Sequence, residues 1–228
     1  EAYEVADAIQ SGDRPAICEE LGDLLLQVVF HARIAEEEGS FTLADVAKSI
    51  SDKMVIRHPH VFGDGDRPSI GSQNELWEGI KDRERARKGE TRTLDGIAKG
   101  LPPMLRALKM QKRAARAGFD WPKVAHVLDK LQEEAAELTV ELECPTKDQD
   151  RINEEVGDLL FVAINLARKA GVDPETALQA CNIKFERRFR YIEQIIELNG
   201  KKLNNSNLEE MESYWQDAKA FDTKSGSN

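Results

Sequence analysis

Apolar residues recur at three- and four-residue intervals along almost the whole chain, and strand-type alternation is scarce. The pattern predicts an all-α fold. Glu1 to Gln10 reads as the end of a helix, stopped by SGDRP. A long helix runs from Ala16 to Glu38 and closes at Gly39. Thr42 is an N-cap, with Asp45 in the capping-box position, for a helix reaching Ile56. HPHVFGDGDRPSIGSQ, residues 58–73, reads as a loop from its proline and glycine content, and a polar helix follows over 75–88. GETRTLDGIAKGLPP, residues 89–103, has the composition of a linker. Helical patterns resume over 104–117, 123–143, 148–170, 174–199 and 207–220, punctuated by Pro145 and Gly171, with Pro174 in a first turn. The tail DTKSGSN reads as frayed.

The helical pattern repeats. Glu1-x-x-Glu4 parallels Glu134-x-x-Glu137, and Glu20-x-x-Asp23 parallels Glu155-x-x-Asp158. Gly22-Asp23-Leu24-Leu25 matches Gly157-Asp158-Leu159-Leu160. Lys53 and Arg57 pair with Lys184 and Arg188, and Trp77 and Lys81 with Trp215 and Lys219, each at a four-residue gap. One unit therefore occurs twice, as 1–88 and 104–228 on either side of the linker 89–103.

The repeated acids carry the chemistry. Residues three apart on a helix share a face. Glu134 and Glu137 point one way from their helix, and Glu155 and Asp158 point one way from the next. A short turn around Pro145 to Gln149 makes these helices antiparallel neighbours, with both acidic pairs at similar height. Four carboxylates then converge. Their repulsion and desolvation require that some stay protonated or that a cation sits among them. An oxygen-only set favours a hard ion, Mg²⁺ or Mn²⁺, over zinc. A di-iron bundle would carry Glu-x-x-His on two helices, which these positions lack.

Lys130 and Arg151 each lie four residues before an acid of the set, on its face. Asn165, seven after Asp158, is the odd polar residue in an apolar run, suited to a core hydrogen bond or to a ligand. Lys184, Arg187 and Arg188 offer phosphate contacts, Trp215 a ring to stack on a base, and Lys219 further charge.

Composition narrows the setting. The 228 residues are 40% hydrophobic and 32% charged, with a net charge of −10, which disfavours a general nucleic-acid coat. Cys18, Cys144 and Cys181 are odd in number and unpatterned, as for reduced thiols of a cytoplasmic protein. The apolar runs are too short to span a bilayer. The chain opens at Glu1, without Met and inside a helical pattern, which implies a preceding segment. His58 and His60 lack the partners of a zinc site. Arg106, Lys109, Arg113 and Arg116 form one basic helix face, solvated or set against phosphates or the acidic partner domain.

The paired ExxE and ExxD signatures, with HPHVFGD, LWEGIKDRER and MQKRAARAGFDW, resemble the MazG family of nucleoside triphosphate pyrophosphohydrolases over essentially the whole chain. The resemblance implies tandem all-α MazG domains, a homodimer, and Mg²⁺-dependent hydrolysis of nucleoside triphosphates, non-standard ones included, to monophosphate and pyrophosphate. It implies Glu134, Glu137, Glu155 and Asp158 as metal ligands. Lys130, Glu133, Arg151, Asn165, Lys184, Arg187, Arg188, Trp215 and Lys219 would contact nucleotide. Glu154 and Glu155 are the candidates to take the proton of the attacking water. The alternative is a helical scaffold whose acids only retain a metal or nucleotide.

The halves are unequal. The first copy's set, Glu1, Glu4, Glu20, Asp23, Lys53, Arg57, Trp77 and Lys81, has no counterpart of Lys130 within the chain, and Phe30 stands where the second has Asn165. An apolar ring should shrink a polar pocket, so the expectation is a main site in the second half and a weak or inactive one in the first.

Overall fold

A computed structural model describes residues 1–62, 79, 89 and 91–225, and among them every regular element is helical. The chain divides into two compact units, Glu1–Glu90 and Thr91–Asn228. The first holds α1 (Ala2–Ser11), α2 (Arg14–Glu37), α3 (Leu43–Arg57) and a short α4 (Pro59–Phe62). The second holds α5 (Pro103–Arg116), α6 (Val124–Glu143), α7 (Gln149–Lys169), α8 (Pro174–Leu198), a 3₁₀ turn (Leu203–Asn205) and α9 (Leu208–Ser225).

Local chemistry sets the boundaries. Gly12 takes the left-handed conformation after α1, with φ 75°, where a side chain would be strained. Asp13 then caps α2 by accepting from the Ala16 amide at 3.4 Å. The capping box at α3 is formed: Thr42 Oγ1 accepts from the Asp45 amide at 3.3 Å, and Asp45 Oδ2 accepts from the Thr42 amide at 2.9 Å. Asp148 opens α7, accepting from the Asp150 and Arg151 amides, and Asp173 opens α8, accepting from the Thr176 amide.

Two elements depart from the sequence pattern. Pro59–Phe62, inside the segment read as a loop, forms a helical turn; residues 63–73 of that loop and nearly all of the polar helix 75–88 lie outside the described residues. Helix α9 continues to Ser225, into the tail read as frayed. Residues 221–225 contain neither proline nor glycine, and Asp222 is held by Arg187 and Arg188 of α8.

In the second unit α7 packs against both α5 and α6, and α9 packs on α8. Its core includes Ala107 and Leu108 of α5 against Ile164 of α7, with Met104 beside them. Val127 of α6 and Ile196 of α8 are fully buried. The first unit is different: among its described residues only Ala8, Ala32 and Ala35 are buried, while Leu25, Leu26 and Phe30 are each more than half exposed. Among the described residues no helix is long and apolar enough to cross a membrane.

Candidate metal and nucleotide site

The short segment 144–148 folds α7 back along α6, and this brings their acids together. Glu134 and Glu137 of α6 and Glu155 of α7 each offer a carboxylate oxygen, all within 4.8 Å of one another. Glu134 is only 4% exposed, Glu155 is half-buried, and Glu137 is exposed. Asp158 is exposed and stands outside this trio, although its charge reaches Glu155. The Glu155 carboxyl is pushed above its ordinary range, first by burial and then by the charges of Glu137, Glu134, Asp158 and Glu154.

A buried carboxylate needs a counter-charge. For Glu134 it is Lys130, one turn earlier on α6, whose Nζ lies 2.8 Å away and also 2.6 Å from Glu133. The hydrogen bonds to Glu133 and Glu134 hold the Lys130 ammonium well above the usual lysine range. The trio suits a hard divalent ion: its donors are all oxygen, and their spacing is of the order spanned by metal–oxygen bonds of about 2.0–2.6 Å.

Arg151, expected beside Glu155, instead pairs with Glu141 of α6, Nε to Oε1 at 2.8 Å. A second group forms between α8 and α9. Arg188 Nε lies 2.8 Å and Arg187 Nη2 2.5 Å from the Asp222 carboxylate. The Arg188 guanidinium also sits 5.5 Å from the ring centre of Trp215, which packs against Phe185 at 5.4 Å. The hydrogen bond from Arg188, joined by that from Arg187, outweighs the effect of burial and keeps Asp222 below the usual carboxylate range. Lys184 and Lys219 are exposed on the same two helices. Asp222 was missed in the sequence, yet Trp215, Lys219 and Asp222 follow the i, i+4, i+7 spacing of one helix face.

Asn165 is 4% exposed, and its Oδ1 accepts from Arg168 Nε at 2.8 Å. Arg168 and Lys169 in turn hold Asp120, the lysine at 3.1 Å. The hydrogen bond anticipated for this amide is therefore internal, and it belongs to a polar chain that sequence spacing alone did not reveal.

In the first unit Glu1, Glu20 and Asp23 likewise offer oxygens within 4.8 Å of one another. Glu4 lies outside that trio. Burial, then Glu4, Asp23, Glu19 and Glu1, push the Glu20 carboxyl up. Lys53 and Arg57 are half-buried on α3, while Trp77 and Lys81 lie outside the described residues. Phe30, the counterpart of Asn165, is 57% exposed with its ring edge-on to His31.

Two of the other features noted in the sequence have structural partners. His58 Nδ1 lies 2.9 Å from the Met54 carbonyl oxygen. The basic face of α5 is not simply solvated: Arg113 is half-buried and donates to the carbonyl oxygens of Thr93 and Asp95, fastening the segment before α5, and Arg106 is half-buried as well. All three cysteines are free.

Comparison with known proteins agrees with this layout. The family model described as the MazG nucleotide pyrophosphohydrolase domain matches residues 1–62 and 123–192, covering the acidic trio of each unit. A protein of Escherichia coli (strain K12) named nucleoside triphosphate pyrophosphohydrolase is 47% identical over 219 residues, 96% of this chain and 83% of that protein. One of Thermotoga maritima, named nucleoside triphosphate pyrophosphohydrolase/pyrophosphatase MazG, is 41% identical over 222 residues, 97% of this chain and 83% of that protein. With both acidic clusters inside the matched segments and this identity sustained along nearly its full length, the chain belongs to the MazG nucleotide pyrophosphohydrolase family.

Proposed function

We propose that the chain hydrolyses nucleoside triphosphates, non-standard ones among them, to monophosphate and pyrophosphate with Mg²⁺ or Mn²⁺, chiefly in its second unit. The observation that carries this reading is the gathering of Glu134, Glu137 and Glu155 beside Lys130. The names of the relatives support the reaction class. When bound, the divalent ion supplies Lewis acidity and charge neutralisation at the α-phosphoryl group. The carboxylates of Glu134, Glu137 and Glu155, with Asp158 next to them, would hold it.

The chain's own residues do the rest. Lys130 stands at the edge of the cluster, where its ammonium can turn from Glu133 to a phosphate oxygen. Lys184, Arg187, Arg188 and Lys219 add charge for the polyphosphate, Arg151 and Glu133 flank it, and Trp215 and Asn165 contact the nucleoside. Water adds to the α-phosphorus, the bond to the bridging α–β oxygen breaks, and pyrophosphate leaves. Glu155, whose carboxyl is pushed up by burial and by the neighbouring acids, is one acceptor for the water's proton, and the adjacent Glu154 is the other. The first unit is a secondary site, weaker because an exposed ring replaces the buried amide.

The exposed apolar helices of the first unit support assembly as a homodimer, and the free cysteines support a cytoplasmic setting. The net charge of −10 argues against nucleic acid as a partner. The test is incubation with ATP and Mg²⁺ and identification of products. AMP with pyrophosphate is the expected pair. ADP with orthophosphate, or no turnover of any nucleoside triphosphate, would sink the proposal.

A further inference from the structure

Arg187 and Arg188 are consecutive on α8, so their side chains leave the helix about 100° apart. Neighbours in sequence do not face each other on a helix. Yet one carboxylate, Asp222 of α9, holds both. Its Oδ1 accepts from Arg187 Nη2 at 2.5 Å, and its Oδ2 accepts from Arg188 Nε at 2.8 Å. Each oxygen serves one guanidinium, and two cations that the helix would splay are drawn to a single point.

The two arginines are held to different degrees. The Arg187 side chain is 61% exposed and tied at one nitrogen, whereas that of Arg188 is only 14% exposed. Arg188 is gripped twice: Asp222 takes its Nε, and the Trp215 ring centre lies 5.5 Å from its guanidinium carbon. Phe185 packs on that ring in turn, at 5.4 Å. A guanidinium is planar and rigid, so fixing one edge and one face fixes where its Nη end points. An anion that meets the Nη hydrogens then finds a donor fork already oriented. The entropy of ordering a long arginine is met on folding instead of on binding.

By charge alone this arrangement works against a polyphosphate. Asp222 stays ionised, because the two arginines hold its carboxyl below the usual range, and it cancels one of their two positive charges. A carboxylate beside arriving phosphates also repels them. If the arginines supplied only charge, an uncharged residue at position 222 would serve better. The compensating gain is the geometry that the carboxylate imposes. We propose that Asp222 is a positioning residue: it gathers Arg187 and Arg188 and, with Trp215, presents the Nη end of Arg188 to the polyphosphate. The assignment rests on the proposed function, in which these arginines meet the phosphates.

The test uses the full chain and reads the sign of an effect. The probe is inorganic tripolyphosphate with Mg²⁺, its Kd measured by calorimetry. Losing a negative charge at position 222 tightens binding if Asp222 acts by charge, and weakens it if Asp222 acts through the arginines. We expect Asp222→Ala and Asp222→Asn each to raise Kd about three- to tenfold. Asp222→Glu, which keeps both oxygens and the charge, should lie nearer to wild type than Asp222→Asn. In an Arg188→Ala background, already weakened, Asp222→Ala should change Kd by less than about twofold or lower it. A loss of stability alone would not produce that dependence on Arg188. Unchanged or tighter binding in both Asp222→Ala and Asp222→Asn, or the same weakening with and without Arg188, would overturn the assignment even in a chain that hydrolyses ATP. Wild-type protein that binds tripolyphosphate with this dependence but releases no pyrophosphate from ATP would uphold the positioning role and remove the hydrolase reading.

Discussion

Lys130 holds its ammonium 2.8 Å from Glu134, the most buried acid of the cluster between α6 and α7. The lysine is the counter-ion of Glu134, and in the proposed function it also contacts the phosphates. The two roles make opposite demands on a variant. We expect Lys130→Gln to lower the stability of the metal-free protein by about 1–3 kcal/mol, because Glu134 loses its partner. Mg²⁺ should bind it more tightly in the absence of nucleotide, and KM for nucleoside triphosphate should rise about tenfold. Denaturant melts, a magnesium titration and steady-state kinetics read the three effects; parallel weakening of both metal and nucleotide binding would contradict the exchange.

The two acidic trios look alike in outline but differ in what backs them. Asn165 is buried further along α7 in the second unit, and Phe30 is exposed at the matching position of the first. Glu155→Ala should cut pyrophosphate release by about 100-fold or more, the scale of a lost acid–base or charge-stabilising group. Glu20→Ala should retain most of the activity. Equal losses would rule out this division of labour.

Asp120 gives a stability prediction with a defined sign. Burial pushes its carboxyl up, but hydrogen bonds from Arg168 and Lys169 outweigh that and leave it below the ordinary value of 3.8. Between the folded and unfolded values the unfolded chain binds more protons, so stability rises with pH across that window. The contribution is fully present above the ordinary carboxylate range and is lost as pH falls through the depressed value. Asp120→Asn should therefore destabilise the protein at neutral pH by about 1.5–3 kcal/mol, and the gap to wild type should close as pH falls through the depressed value. Thermal melts across pH provide the check, and a gap that persists in acid would contradict the ionic origin.

Asp222 restrains Arg187 and Arg188 from α9, so removing it should loosen cations proposed for the polyphosphate. We expect Asp222→Ala to raise KM for ATP about three- to tenfold with a smaller change in kcat. A change confined to kcat would place these arginines elsewhere in the reaction.

Local features were legible in the sequence because their causes are local. Thr42 and Asp45 form their capping box from a three-residue spacing, and the acids of α6 and α7 converge because a short turn leaves the helices no alternative pairing. What spacing could not supply is the partner from another element. Arg151 shares a helix face with Glu155, yet Glu141 across the helix pair captures it. Gln111 looks like an ordinary surface glutamine until α5 docks on α7 and buries it. Asp222 shares a helix face with Trp215 by spacing, but its pairing with Arg187 and Arg188 comes from another helix and is not visible in the sequence.

The most direct test is titration of Mn²⁺, followed by electron paramagnetic resonance, into wild-type protein and Glu134→Gln/Glu155→Gln protein in the presence of nucleoside monophosphate. We expect saturable uptake by the wild type and its loss in the variant, together with loss of pyrophosphate release. Uptake by the variant equal to that of the wild type would contradict the assignment of the ion to these carboxylates.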